Sequence, residues 1–217
     1  MRRVAWWLVV GWLGAYAVVN LGMLLLAAMA RRTGKDRRAH GAGWPNIHNL
    51  RVVDDRLVIG AQPTPEHYRE LASRGVTGVI NLRTGGPADP VRDDPALLAS
   101  LGVHHASVPI PDGHAPTAAQ LRQILDRVAQ ADGPSYVHCG GGVGRAGSVA
   151  AAYLAAHGQK PSVHELLAVG PPSLEQLWFL ATCKPGKPAD GAPAMIALAS
   201  RLIDAPRRPY GRLRRRR

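Results

Sequence analysis

Along the chain, apolar and polar positions fall into three regimes: one long apolar block, a short basic interval, then many short alternating segments. The block runs from Val4 to Ala30 with no charged residue and with Asn20 as its one strongly polar side chain. About 20 apolar residues suffice to cross a bilayer, so residues 1–30 predict one transmembrane anchor with some tilt. Trp6, Trp7, Trp12 and Tyr16 cluster toward one end, as an interfacial belt would. A cleaved signal peptide is the competing reading. Arg2 and Arg3 make a basic start and Ala28-Met29-Ala30 a small-x-small site, but the apolar region of a signal peptide runs only about 7–15 residues.

The interval 31–46 mixes charges with Gly34, Gly41, Gly43 and Pro45 and reads as a juxtamembrane linker. Regular patterning occupies 47–183. Leu57-Val58-Ile59, Val76–Leu82, Val103–Val108 and Ser135–His138 read as strands. Thr64-Pro65 opens a helix that Gly75 closes, and Asp94–Ser100 is a short helix. Thr117 caps a helix with Leu121, Ile124, Leu125 and Val128 on one face. Ala146–His157, Ser162–Val169 and Ser173–Thr182 complete the helices, and Ala194–Asp204 is a further short one within the tail 184–217. Strands alternating with helices predict an α/β fold, a central and mainly parallel sheet of about four to five strands flanked by helices, preceded by one transmembrane helix.

Composition changes this picture little. Of 217 residues 46% are hydrophobic, enough for a packed core, and Phe179 is the single phenylalanine. The net charge of +12 changes it more once mapped. Arg2–Arg38 carries seven basic residues against one acid, Arg201–Arg217 eight against one, and the middle twelve against thirteen. The surplus sits on the flanks, which suits anionic lipid head groups. Nucleic acid is not expected, because among the basic residues of the tail only Tyr210 supplies an aromatic ring. Five basic residues follow the apolar block and two precede it, so the positive-inside rule puts the bulk of the chain in the cytoplasm. Two cysteines, Cys139 and Cys183, make no disulfide framework and agree with a reducing compartment.

The chemistry concentrates in YVHCGGGVGRAG, Tyr136–Gly147. A plain turn explains its glycines but not its cysteine and arginine. A dinucleotide loop fits the spacing Gly142-x-Gly144-x-x-Gly147, yet its acid, Glu165, lies within a helical run instead of at a strand end. A third reading uses every residue. Five residues separate Cys139 from Arg145, a loop length that can curl around one oxyanion with its N–H groups turned inward. Arg145 can close the ring through bidentate bonds. The same positive field favours the thiolate of Cys139, the nucleophilic form.

His138-Cys139, Gly142 and Arg145 reproduce the H-C-x-x-G-x-x-R signature, and the chain here resembles the cysteine-based protein tyrosine and dual-specificity phosphatases. The resemblance covers roughly Ile47 to Leu180 and includes Ala61-Gln62-Pro63 and the strand Val79–Arg83. It implies Cys139 as nucleophile, phosphate bound by Gly140, Gly141, Gly142, Val143, Gly144 and Arg145, and His138 orienting the loop through backbone bonds. It also calls for a general acid on a separate loop. Asp112, 27 residues before Cys139, is the candidate; an ordinary Asp-Gly turn is the alternative, and Asp126 and Asp132 are poorer choices. No metal or other cofactor is implied. Substrates would be phosphotyrosine or phosphoserine/threonine of proteins, or a phosphorylated lipid, with the membrane met through residues 4–30 and the basic tail.

One position departs from the family: Ala146 stands where a Ser or Thr hydroxyl usually helps the thiolate leave, which implies a slow second step. Gln176 is either a positioner of the hydrolytic water or a solvated helix residue. Arg83 is read as structural, Cys183 as a spectator, and His104-His105 as facing opposite sides of a strand. A non-catalytic phosphate-binding module and a rhodanese-like sulfur transferase are the remaining alternatives.

Overall fold

The computed structural model describes residues 2–32, 43–162, 172–189 and 191–204. The apolar block forms α1 (Arg2–Arg32), within which Trp6–Leu26 is long and apolar enough to cross a membrane. Most of the linker, the helix expected over Ser162–Val169, Glu165 and the tail from 205 lie outside the described residues.

The remaining elements follow in the order β1 (Arg51–Val52), β2 (Leu57–Gly60), α2 (Pro65–Ser73), β3 (Gly78–Asn81), α3 (Pro95–Ser100), β4 (His104–Ser107), α4 (Ala118–Gln130), β5 (Ser135–His138), α5 (Gly144–Ala156), α6 (Leu174–Thr182) and α7 (Ala194–Asp204). Helix starts are where cap chemistry places them. Thr64, Asp94, Thr117 and Ser173 each accept a backbone N–H from the first turn of the helix that follows. The five strands stand in the order β1-β2-β5-β3-β4. Four are parallel, and only the two-residue β1, too short to show in the sequence pattern, runs antiparallel to β2.

Both faces of the sheet are covered, which is why β2, β3 and β5 are buried at every position instead of alternating. Leu57, Ile59, Ile80 and Val137 pack on one face with Ile124 and Val128 of α4 and Val149, Ala150 and Tyr153 of α5. Val58, Val79 and Tyr136 pack on the other with Tyr68 and Leu71 of α2 and Leu98 of α3. Leu125, expected on the buried face of α4, is only half-buried. The outer side of α5 presents Ala151, Ala152 and Ala155 to Phe179 and Leu180 of α6. Small side chains let α5 sit in a second layer between sheet and helix, and burying one Phe there stabilises the fold by roughly 3 kcal/mol.

This architecture fixes the site. Gly60 and Asn81, the last residues of β2 and β3, both pair with His138, the last residue of β5. Three parallel strands therefore end together, with the Cys139 loop leaving from the middle one. In open α/β sheets, ligands are met beyond the carboxyl ends of the strands.

Candidate active site

Between β5 and α5, Cys139 to Gly144 turns back over the sheet edge. Gly142 enables the turn: its φ is +69°, and a Cβ there would stand 2.5 Å from the carbonyl carbon of Gly60. Only glycine combines that conformation with that approach. The Gly142 N–H donates to Cys139 Sγ at 3.3 Å, so one loop amide already points at the centre. Gly141 is held by two contacts, an antiparallel bridge to Ala61 and the Asn49 Nδ2, which donates to its carbonyl at 2.8 Å. Asn49 adopts φ +55°, a conformation Asn tolerates, and is buried.

Cys139 is buried at the floor of the loop and Arg145 begins α5. The Arg145 guanidinium is gripped from several sides. Nη1 donates to Asp89 Oδ2 at 2.6 Å and to the carbonyls of Ile110 and Leu82 at 3.1 and 3.3 Å, and Nη2 donates to Asp89 Oδ1 at 3.2 Å. Nη2 also lies 3.1 Å from Asp112 Oδ1. Burial favours the neutral guanidine, but Asp89, Cys139 and Asp112 outweigh it and raise Arg145 further above its ordinary value. Asp112 itself is 71% exposed. The geometry therefore brings the Cys139 loop, Arg145 and Asp112 together, with Asp112 on the open side.

Asp89 has no counterpart in the sequence reading. Besides Arg145 it accepts from Arg83 Nε at 3.0 Å and from the Thr84 N–H at 3.0 Å. Burial pushes its carboxyl up, but hydrogen bonds and charge from Arg145, the Thr84 amide and Arg83 win and hold it at about 2. Arg83 is structural in the sense expected: it is buried and ties this carboxylate to Gln62, whose Oε1 it reaches at 3.1 Å.

The His138 carbonyl accepts from Leu82 N in the sheet, and its ring faces a carboxylate. The fully buried imidazole lies over Tyr136, with centroids 5.8 Å apart, and its Nε2 stands 3.4 Å from Asp93 Oδ1. Asp93 also accepts from Tyr68 Oη at 2.6 Å, Gln62 Nε2 at 2.7 Å and Asn81 Nδ2 at 2.6 Å, and lies 2.9 Å from His105 Nε2. Burial alone would raise its carboxyl; contacts to His138, Tyr68 and Gln62 hold it well below the usual carboxylate range. His104 and His105 do face apart, and only His105 joins this cluster.

Gln176 is not a solvated residue. It is buried, its side chain presses on Gly144 of the loop, and its Nε2 donates to the His114 carbonyl at 3.0 Å. Two neighbours act alike: Ser173 Oγ donates to the Gly113 carbonyl at 2.6 Å, and Glu175 Oε1 accepts from the Ala115 N–H at 2.9 Å. Cys183 is buried in the α5–α6 layer, and burial raises its thiol.

A family model described as PTP-SAK, "Swiss Army Knife protein, DSP-PTPase phosphatase domain", matches residues 48–185, more than half of the chain. The chain belongs to this family. Its PTP-SAK domain is 29% identical over 93 residues to a Beta-lactamase hydrolase-like protein of Agrobacterium fabrum (strain C58 / ATCC 33970), covering 42% of this chain and 21% of the relative. It is 29% identical over 126 residues to the Dual specificity protein phosphatase CDC14C of Symphalangus syndactylus, covering 58% of this chain and 23% of the relative. The chain thus spans less than a quarter of these relatives' length. Two solved structures share the PTP-SAK fold. The core catalytic domain of the PP-IP phosphatase SIW14 from S. cerevisiae has a TM-score of 0.52 at 16% identity, covering 63% of this chain and 85% of that one. PTPMT1 in complex with PI(5)P has a TM-score of 0.51 at 22% identity, covering 60% and 91%.

Proposed function

We propose that this PTP-SAK chain is a membrane-anchored phosphatase that hydrolyses phosphate monoesters, those of phosphotyrosine or phosphoserine/threonine in proteins, through a phosphocysteine intermediate. The observation that carries the mechanism is the meeting of Cys139, Arg145 and Asp112 at the carboxyl end of the parallel sheet, with the Gly142 N–H already aimed at Sγ. Cys139 Sγ attacks phosphorus as the bond to the ester oxygen breaks. Arg145 and the amides of residues 140–144 carry the charge that spreads over the other oxygens. Asp112 gives its proton to the departing oxygen. Water then attacks phosphorus, losing a proton to Asp112, and the S–P bond breaks to release inorganic phosphate.

Anchoring rests on α1, with the five basic residues after its apolar block supporting a cytoplasmic catalytic domain. A second substrate reading, phosphate on a lipid head group, is supported by that anchor and by the basic flanks. The test is hydrolysis of para-nitrophenyl phosphate by the wild type beside Cys139→Ser. Vanadate-sensitive turnover that the substitution abolishes is expected. Turnover that survives it, or that ignores vanadate, refutes the mechanism.

A further inference from the structure

Gly141 and Gly142 share one peptide unit, and its two ends are bound to different parts of the molecule. The carbonyl oxygen accepts from Asn49 Nδ2 at 2.8 Å, and the N–H donates to Cys139 Sγ at 3.3 Å. Every peptide bond among the described residues is trans. In a planar trans unit the C=O and the N–H point in opposite directions. Holding the oxygen therefore aims the N–H.

The loop does not set that direction by itself. Both residues flanking the unit are glycines, which accept a wide range of φ and ψ and resist rotation of the plane least. A Cβ at Gly141 would meet nothing within 4 Å, so packing does not lock the unit from that side. Turned about, the unit would present an oxygen to the sulfur, and an oxygen disfavours a thiolate where an N–H favours it.

Asn49 is mounted to do the holding. It stands in the turn Ile47–Leu50, closed by the Leu50 N–H on the Ile47 carbonyl at 3.1 Å, and the side chains of Ile47 and Leu50 are in the core. Its φ of +55° suits the third position of such a turn, where Asn is accepted. The His48 carbonyl accepts from Ala61 N at 3.0 Å, so the turn is stitched to the chain just past β2. The Cys139 loop is docked on the same stretch, through the bridge of Gly141 to Ala61 and the close approach of Gly142 to Gly60. Clamp and loop share one footing. Asn49 itself is buried, and its bond to the carbonyl polarises the unit, which makes the N–H a stronger donor.

Resting on the phosphatase reading above, we propose that Asn49 is a positioning residue for the nucleophile. Through the Gly141–Gly142 unit it keeps the Gly142 N–H on Cys139 and favours the thiolate form of the sulfur. The charged and titratable groups around Cys139 are Arg145, with Asp89 and Asp112 on it, and Tyr136 and the His138–Asp93 pair on the strand side. None of them is altered when Asn49 is replaced.

The test uses the full chain in detergent micelles, with two variants. Asn49→Gly keeps the left-handed backbone and removes the donor. Asn49→Asp keeps the shape and puts a charged acceptor where the donor was. The first readout needs no substrate. It is the ultraviolet absorbance of the thiolate against pH, with the same titration of a Cys139→Ser counterpart subtracted to remove Cys183. Loss of one hydrogen bond to a charged sulfur moves the midpoint up by about one pH unit in Asn49→Gly, and further in Asn49→Asp. The second readout is kcat/KM for para-nitrophenyl phosphate across pH. In Asn49→Gly it falls about tenfold on the acid side and converges with wild type as pH rises past the variant's midpoint. A midpoint unmoved in both variants, with native circular dichroism and wild-type turnover of para-nitrophenyl phosphate, overturns the role of Asn49 and leaves the phosphatase reading intact. A loss of kcat/KM by the same factor at every pH overturns it too, since a merely structural residue acts that way. A midpoint that moves as stated, in a chain whose wild type hydrolyses no para-nitrophenyl phosphate, keeps the role of Asn49 and sinks the phosphatase reading.

Discussion

Asp89→Asn keeps the shape of a buried carboxylate and removes its charge. Two oxygens now accept from Arg145 Nη1, Arg145 Nη2, Arg83 Nε and the Thr84 N–H. An amide offers one oxygen, and its NH₂ would face a donor. Two magnitudes bound the loss. Lowering the carboxyl from 3.8 to about 2 corresponds, at about 1.4 kcal/mol per unit, to roughly 2 kcal/mol. Removing one partner of a buried ion pair costs about 3–5 kcal/mol. A loss of about 2–4 kcal/mol at pH 7 is therefore expected, read by urea unfolding of the full chain in micelles with tryptophan fluorescence. The sign with pH follows from a folded-state value below the unfolded one. The carboxylate's contribution is complete above 3.8 and fades as pH falls through about 2. The gap between wild type and variant is thus constant from neutral pH to about 5 and narrows between about 4 and 2. Because Asp89 holds Arg145 in place, kcat/KM for para-nitrophenyl phosphate also drops, by about tenfold or more. A stability gap under about 0.5 kcal/mol at pH 7, or one that stays constant down to pH 3, refutes this account.

Gly142→Ala abolishes turnover, since its Cβ would meet backbone of Gly60 and Ala61 at φ +69°; Gly144→Ala meets only the end of the Gln176 side chain and keeps more than a tenth of wild-type kcat, the two being compared in one assay with circular dichroism as the folding control. Asp112→Asn lowers kcat by about 100-fold or more, with a larger loss for alkyl than for phenolic phosphates, because proton donation matters most to a poor leaving group; equal losses across leaving groups would argue against its role as acid. Ala146→Ser speeds breakdown of the phosphocysteine intermediate, seen as a smaller burst and faster steady state, while the added hydroxyl at a fully buried position costs about 1 kcal/mol of stability.

The elements legible in the sequence are those governed by local rules. Thr64 and Thr117 announced their helices because capping needs only neighbours in the chain. Ser135–His138 and the loop after it announced themselves because spacing fixes what a short loop can enclose. Asp89 and Asp93 stayed hidden for the opposite reason. They lie in GGPADPVRDDP, where Gly-Pro and Asp-Pro pairs read as turn chemistry, and their partners Arg145 and His138 are distant in sequence. Asn49 is a similar case, since its bond to Gly141 spans 92 positions. Gln176 was visible as one turn of a helix, but its burial depends on how α6 seats against α5 and the loop, which no local pattern encodes.

The three bonds from the first turn of α6 to Gly113, His114 and Ala115 bear on tempo. They fasten the residues directly after Asp112 at successive positions, before any substrate arrives. An acid docked in advance needs no closing motion, so substrate binding is spared the entropy of ordering that segment. On the proposed mechanism, turnover is expected to be limited by bond making and breaking at phosphorus instead of a conformational gate, and kcat to be insensitive to solvent viscosity, with Ser173, remote from the sulfur, setting how still Asp112 is held.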